Sequence, residues 1–413
     1  MLTLFFVRGL PYMFMLMLAP IIMNRMRLSN GTIAFYTSLA FLPFVLRPLW
    51  VRIMRSRLGC RRWMVLTQSL LALTFLGMAG VLQLSWWLPC FLLLLYLQAV
   101  LAAIHDIAVS RYMTLMTGSV VHGTLFGLRG AGLCLAVVFG FGLSMLLGGN
   151  LEVVYRNISF AWSMVCICLA VGVAMLALLH FLRLPHLSER IIKANPWRTS
   201  VLLIPNELRQ HLLQPHFIYK ILFLLLFLLP EGFFFRIGIL FLIDPGSNGG
   251  LSLSPQELGF IQGSVGGIAL IIGGLLGAHA IRRQGFKYWI WPMTVALTLP
   301  KIFYVFMSYT LTTSITLITL SVFLEQLGFG IGAITFVAFL VRLYKGHHSL
   351  MLFTYGSSLA VFAIMLIGAF AGYVQDYMGY RHFFVLLLCI NALPFSVVAF
   401  ILFHPSFSYL RKD

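Results

Sequence analysis

The chain has 413 residues, of which 61% are hydrophobic and only 9% charged, with a mean hydropathy of +0.99. Soluble domains carry about 25% charged residues, so a soluble globular protein is excluded, and the same hydrophobicity excludes a disordered one. The 28 Lys and Arg outnumber the 10 Asp and Glu, a formal net charge of +18, yet these bases sit in short gaps between long apolar runs, which excludes a nucleic-acid-binding surface.

A helix crossing the hydrocarbon core needs about 20 mostly apolar residues. In chain order the apolar runs predict spans at 4–24, 31–51, 63–83, 87–108, 122–147 and 157–182. A second set follows at 217–243, 257–280, 288–308, 313–340, 348–373 and 381–404. The first run is long and lacks a small-residue cleavage site, so it reads as a retained span and not a signal peptide. The gap 183–216 is polar and basic and carries Pro185, Pro196 and Pro205, which reads as a cytoplasmic linker. The expectation is an all-α polytopic membrane protein with twelve transmembrane helices. Its organisation would be an N-terminal six-helix bundle (1–182), the linker (183–216) and a C-terminal six-helix bundle (217–413).

Charge gives the orientation. Eighteen Lys and Arg fall in the gaps after spans 2, 4, 6, 8 and 10 and in the C-terminal tail; the other gaps hold only Arg25, Arg27, Arg156 and, at the edge of span 12, Arg381. Positive residues stay on the cytoplasmic side, so both termini are expected there. Cys60, Cys90, Cys134, Cys166, Cys168 and Cys389 fall mostly within spans without a pairing pattern, and read as small apolar fillers instead of a disulfide or metal framework.

The two halves repeat a feature. Arg57-Leu58-Gly59-Cys60-Arg61-Arg62 follows span 2, and Arg282-Arg283-Gln284-Gly285-Phe286-Lys287 follows span 8. Each alone reads equally as a positive-inside loop with a turn glycine; their equivalent places suggest gating loops of a two-half transporter, with Gly59, Arg61, Arg62, Arg283 and Gly285 as the candidates. A third turn, Gly372-Tyr373-Val374-Gln375-Asp376-Tyr377-Met378-Gly379-Tyr380-Arg381, has the form that joins the last two helices of such transporters. The arrangement resembles the major facilitator superfamily.

Among the ionisable residues inside spans, the informative ones are Arg47, Asp106, Arg129, Glu231, Arg236, Lys301 and Glu325. A charge near the bilayer centre costs about 2.5–3.5 kcal/mol on insertion scales, so it is normally paired or functional. Arg47 stands near a span end and could snorkel to the headgroups; Asp106 could cap a helix or pair with Arg111. Glu231 and Glu325 are midway along their spans, and Lys301, after Pro300, is the expected partner of Glu325. Asp106, Glu231 and Glu325 lie on three of the four spans (1, 4, 7 and 10) that line the central cavity in the superfamily, as the resemblance implies. Carboxyl groups in low dielectric favour the neutral form, which suits an intramembrane acid to carry a proton, and arginine forks match carboxylate or phosphate groups. Pro230-Glu231-Gly232 is expected to break span 7 at mid-membrane, either freeing backbone for a ligand or only kinking the helix. The reading from residues alone is a proton-coupled carrier for an anionic solute.

Longer stretches narrow the resemblance. Gly9-Leu10-Pro11, His105-Asp106-Ile107-Ala108-Val109, Leu46-Arg47-Pro48-Leu49-Trp50, Ser254-Pro255-Gln256-Glu257-Leu258-Gly259 and Gly273-Gly274-Leu275-Leu276-Gly277 look like the branch of AmpG-type muropeptide permeases and acetyl-coenzyme A transporters. The most specific is Phe323-Leu324-Glu325-Gln326-Leu327-Gly328-Phe329-Gly330-Ile331-Gly332, followed by Phe336-Val337-Ala338-Phe339-Leu340. The chain departs from the branch at Ser110, where a second acid is usual, at Arg55, where an Asp is usual, and at Leu352, where a glutamine is usual. The resemblance implies proton-driven import of anhydromuropeptides across a bacterial inner membrane, with Asp106, Glu231, Glu325 and Arg47 matching the branch's intramembrane acids and base. No cofactor, metal or nucleic-acid partner is expected, and a monomer is. Export of a drug or siderophore-like molecule and a non-transporting receptor are the alternatives. An enzyme is not expected, since no motif assembles a nucleophile, a base and a metal.

Overall fold

The computed structural model describes residues 2–55, 58–117, 122–185, 217–343 and 349–403. The expected linker therefore lies outside the described residues from 186 onward, and so does Leu352's side chain. Helices account for nearly every described position, as they must where no water satisfies backbone groups. Ten stretches are long and apolar enough to cross a membrane, and the protein is a multi-pass membrane protein. Along the chain we label them α1 (Leu2–Arg25), α2 (30–55), α3 (Cys60–Val81), α4 (Trp87–Thr117), α5 (122–155), α6 (Ile158–Arg183), α7 (217–243), α8 (Pro255–Gln284), α9 (Phe286–Thr310), α10 (Ile315–Leu343), α11 (349–378) and α12 (380–403). The twelve labels exceed ten for two reasons. Thr354–Phe403 is one continuous helical stretch that turns at Gly379 (φ 75°), and α2 is too short and interrupted to qualify by itself.

Proline explains most departures from straight helices. Expected as one span, α2 is three pieces, Asn30–Leu39, Leu42–Val45 and Arg47–Arg55, with Pro43 and Pro48 each near the start of a new piece. A proline lacks the N–H that would continue the ladder but suits a first helical turn. In α7 the break falls at Phe227 and Leu228, and Leu229–Ile243 restarts with Pro230 in its first turn. A tight turn, Leu299–Lys301, interrupts α9 at Pro300. Widened π-helical turns lie in α1 (Phe14–Leu18), α5 (Ala136–Gly142) and α8 (Gly259–Val265); such bulges often mark functional helices.

The chain folds into two compact units. One comprises Met1–Leu28, Ala40–Leu203 and Ser254–Ser264; the other comprises Ser29–Leu39, Ile204–Leu253 and Val265–Asp413. Two short stretches thus depart from a division at the linker. In the first unit the start of α8 packs on α5, where Gln256 Nε2 donates to Asn150 Oδ1 at 3.3 Å and a Cβ on Gly263 would stand 2.5 Å from the Gly142 Cα. In the second, the first piece of α2 lies along α11.

Small residues let transmembrane backbones approach closely, and α10 shows why its glycine ladder is needed. A Cβ on Gly328 would stand 1.9 Å from the Ala296 carbonyl oxygen. That carbonyl lies four residues before Pro300, so the proline denies it the intrahelical donor it would otherwise have. Only a residue without a Cβ fits against it at this approach. Gly328→Val is accordingly expected to cost about 3 kcal/mol by overpacking, read as a lowered unfolding midpoint of the purified protein; an unchanged midpoint would contradict this packing.

Candidate functional site

Ionisable residues of the second unit gather where α7, α9 and α10 are irregular or apolar. Restarting at Leu229, α7 places Glu231 in a first turn, where the helix dipole favours a negative charge. Pro300 twists the α9 backbone so that Lys301 Nζ donates to Glu231 Oε1 at 2.5 Å and to the Leu297 carbonyl at 2.8 Å. The ammonium also lies 5.4 Å from the Phe234 ring centroid. Each side chain of this pair is 1% exposed. Glu325, on α10, is 2% exposed and accepts a hydrogen bond from Gln326 Nε2 at 2.8 Å. Its Oε1, like Oε2 of Glu231, has no hydrogen-bond partner among the described residues. The expectation that Lys301 pairs with Glu325 is thus corrected: the direct partner is Glu231, and Lys301 acts on Glu325 only through its field.

Two buried carboxyl groups thus lie within the field of one lysine, which bonds directly to one of them. With Lys301 and Glu231 both charged, a third charge on Glu325 would be uncompensated by any direct partner among the described residues, whereas a proton on Glu325 restores neutrality. Arg236, also on α7, bonds in another direction. It is 1% exposed, and its Nε and Nη2 donate to the Thr37 hydroxyl and carbonyl at 2.9 and 3.1 Å. Thr37 lies in the last turn of the first α2 piece, where carbonyls lack intrahelical partners, so Arg236 ties α7 to that helix end.

In the first unit, Asp106 on α4 is 3% exposed and forms ion pairs with two arginines. Arg47 Nη2 lies 2.6 Å from Asp106 Oδ2, and Arg8 Nε meets Oδ1. Arg47 thus points to an acid. Arg8 is absent from the residues the sequence singled out; the signal for it was a lone arginine one to two turns inside the first apolar run. Arg129 lies on α5, with its side chain outside the described residues.

Two further polar clusters were not foreseen. Beside Asp106, the buried His105 Nδ1 is 3.0 Å from Thr67 Oγ1; the adjacent Gln68 Oε1 is 3.0 Å from His180 Nδ1, and His180 Nε2 is 3.0 Å from Thr3 Oγ1. In the second unit, Asn30 Nδ2 lies 2.8 Å from Asp244 Oδ2, Gln375 Oε1 and the Tyr380 hydroxyl, while that hydroxyl donates to Asp244 at 2.5 Å. The Gly31 N–H donates to Asp376 at 2.7 Å. The turn Gly372–Arg381, recognised by its form, thereby supplies a buried polar knot joining α2, α7 and α12.

The two basic turns differ in their chemistry. Gly285 has φ +83°, which requires glycine, whereas Gly59 has φ −64° and ψ 153°, an extended conformation open to any residue. Arg61 Nη2 donates to the Phe181 carbonyl at 2.6 Å and its guanidinium stands 5.8 Å from the Phe181 ring, fastening α3 to α6. Arg62 and Arg283 are exposed. Among the described residues no group of His, Cys, Asp or Glu is placed to hold a metal ion.

The fold is shared with a variant of the nucleoside transporter NupG at TM-score 0.68 and 17% identity, covering 98% of each chain. A bacterial homologue of the human lysosomal transporter Spinster gives 0.69 at 13% identity, over 100% of this chain and 94% of that one. The xylose transporter XylE from E. coli gives 0.64 at 11% identity, over 96% and 93%. By sequence, a Rickettsia prowazekii (strain Madrid E) protein provisionally named transporter AmpG 2 is 23% identical over 180 residues, 44% of this chain and 42% of that protein. Its Rickettsia typhi counterpart is 23% identical over 172 residues, 42% of this chain and 40% of that protein. Each match thus spans less than half of the relative's length. Residues 1–357 match the Major Facilitator Superfamily as a whole. That match takes in most of the 413 residues, and the chain belongs to the Major Facilitator Superfamily.

Proposed function

We propose that the protein is a proton-coupled importer of anionic cell-wall fragments of the anhydromuropeptide type, working as a monomer by alternating access in a bacterial inner membrane. The observation that carries the coupling is the Glu231–Lys301–Glu325 trio, two buried acids to one lysine. A group that must gain or lose a proton to keep such a site neutral is suited to couple proton movement to transport. The positive residues of alternate loops support both termini being cytoplasmic. Arginines turned inward at Arg8, Arg47 and Arg236 support an anionic cargo. The substrate class rests on the motif around Glu325 and on relatives carrying the AmpG name over two fifths of their length. Uptake by a secondary carrier, and not chemistry on the cargo, is the activity expected.

Thermal unfolding of the purified protein tests the cargo. Anhydromuropeptides are expected to raise the midpoint, since a ligand bound only by the folded state stabilises it by about 2.7 kcal/mol at 100 times its Kd. Free peptides and coenzyme A esters are expected to do less. A shift with coenzyme A esters alone would replace the proposed cargo.

A further inference from the structure

Arg8 and Arg47 converge on one carboxylate. Asp106 can balance only one of these two guanidinium charges, and among the described residues neither arginine has a second acid. The unit's other described acids are engaged elsewhere: Glu152 with Arg25 and the Trp162 indole N–H, Glu257 with the backbone and hydroxyl of Ser254. Exposure orders the three groups. The Asp106 side chain is 5% exposed, against 20% for Arg8 and 16% for Arg47, so the acid lies deeper than the guanidiniums it holds. Arg47 Nε is buried with no hydrogen-bond partner among the described residues, and the guanidinium stands 5.3 Å from the Phe44 ring, which helps to fix its plane. An arginine fork carries five donors, and one carboxylate cannot occupy two forks.

We propose that Arg8 and Arg47 form an anion-binding subsite in which a solute carboxylate bridges the two guanidiniums, with Asp106 as the fixed counter-charge behind them. Bidentate pairing of this kind gives geometric selectivity as well as affinity. Asp106 then preorganises the two forks and competes with the incoming anion for them. The subsite rests on the reading of an anionic cargo, though not on that cargo being a cell-wall fragment.

The test is thermal unfolding of the full-length purified protein titrated with succinate, inorganic phosphate or an anhydromuropeptide, at ionic strength held constant with chloride. Succinate is expected to raise the midpoint of the wild type, and the apparent Kd is expected to weaken at least about tenfold in Arg8→Gln and in Arg47→Gln. Arg8→Lys, which keeps the charge and loses the fork, is expected to fall between and serves if the glutamine variant does not fold. Asp106→Asn is expected to bind succinate about tenfold more tightly, because both forks lose their competitor. A purely structural ion triad would instead destabilise all these variants with no change in anion response. A wild type indifferent to succinate and muropeptide, or an Arg8→Gln response equal to that of wild type, would overturn the subsite. A phosphate response exceeding that of succinate, and lost in Arg8→Gln, would overturn the carboxylate assignment. Succinate binding lost in Arg8→Gln with no muropeptide response would leave the subsite and remove the proposed cargo. Muropeptide binding unchanged in Arg8→Gln would do the reverse.

Discussion

Glu325→Gln is expected to abolish uptake driven by a pH gradient, a fall of at least about 100-fold, as for removal of a positioned proton-transfer group, while the protein still inserts, purifies and binds its solute. The amide has the shape of a protonated carboxyl and keeps an oxygen for the Gln326 donor. It cannot release a proton. Glu325 makes no direct ion pair among the described residues, so its replacement strands no buried base. Uptake by reconstituted protein checks this, alongside the unfolding midpoint. Full uptake by the variant would remove Glu325 from the coupling role.

Glu231→Gln is expected to act in the opposite way, on stability first. Breaking a buried pair from one side costs about 3–5 kcal/mol, because the remaining charge is left without compensation. Lys301 would be that charge, 1% exposed and held to α9 by its own bond to the Leu297 carbonyl. Lys301→Met alone should cost a similar amount. The double variant Glu231→Gln/Lys301→Met is expected to recover most of the loss, giving a coupling energy of about 2–3 kcal/mol between the two sites. Additive single losses in thermal unfolding would show that the pair is not a unit. Glu325 complicates the single variant in an informative way: it is the acid whose charge already feels Lys301. If Lys301 turns to it, Glu231→Gln loses coupling as well as stability.

The architecture was largely legible in the sequence, because a helix spanning a membrane announces itself by length and apolarity alone. Spans 6, 7, 9 and 10 end within a few residues of their predicted limits. The break in α7 was also legible, since Pro230 leaves a backbone group unsatisfied wherever it stands inside a span. What the sequence could not supply was helix azimuth. Lys301 was expected to face Glu325, but the turn at Leu299–Lys301 rotates the side chain towards Glu231, and no periodicity argument extends through a proline-induced change of phase. Arg8 was overlooked for a related reason: one to two turns inside the first span, an arginine resembles a flanking charge until α4 is seen to present Asp106 to it. The Asn30–Asp244–Tyr380 knot draws on segments more than 130 residues apart, so no local pattern contains it. The glycine ladder of α10 was visible as a motif, whereas the groups it makes room for, the Ala296 carbonyl at Gly328, the Leu270 carbonyl at Gly330 and the Leu297 side chain at Gly332, are tertiary facts.

Under the proposed function, the two charge clusters take separate roles. In the first unit Arg8 and Arg47 meet the single acid Asp106, and in the second Glu231 and Glu325 lie near the single lysine Lys301. The first imbalance suits an anionic solute, and the second suits a proton. The most direct test is uptake of a radiolabelled anhydromuropeptide into liposomes containing the purified protein, with a pH gradient imposed across the membrane. Proton-coupled import predicts accumulation above the equilibrium level that a protonophore collapses. Accumulation that persists with the protonophore present, or no accumulation while the same preparation binds the compound, would contradict it.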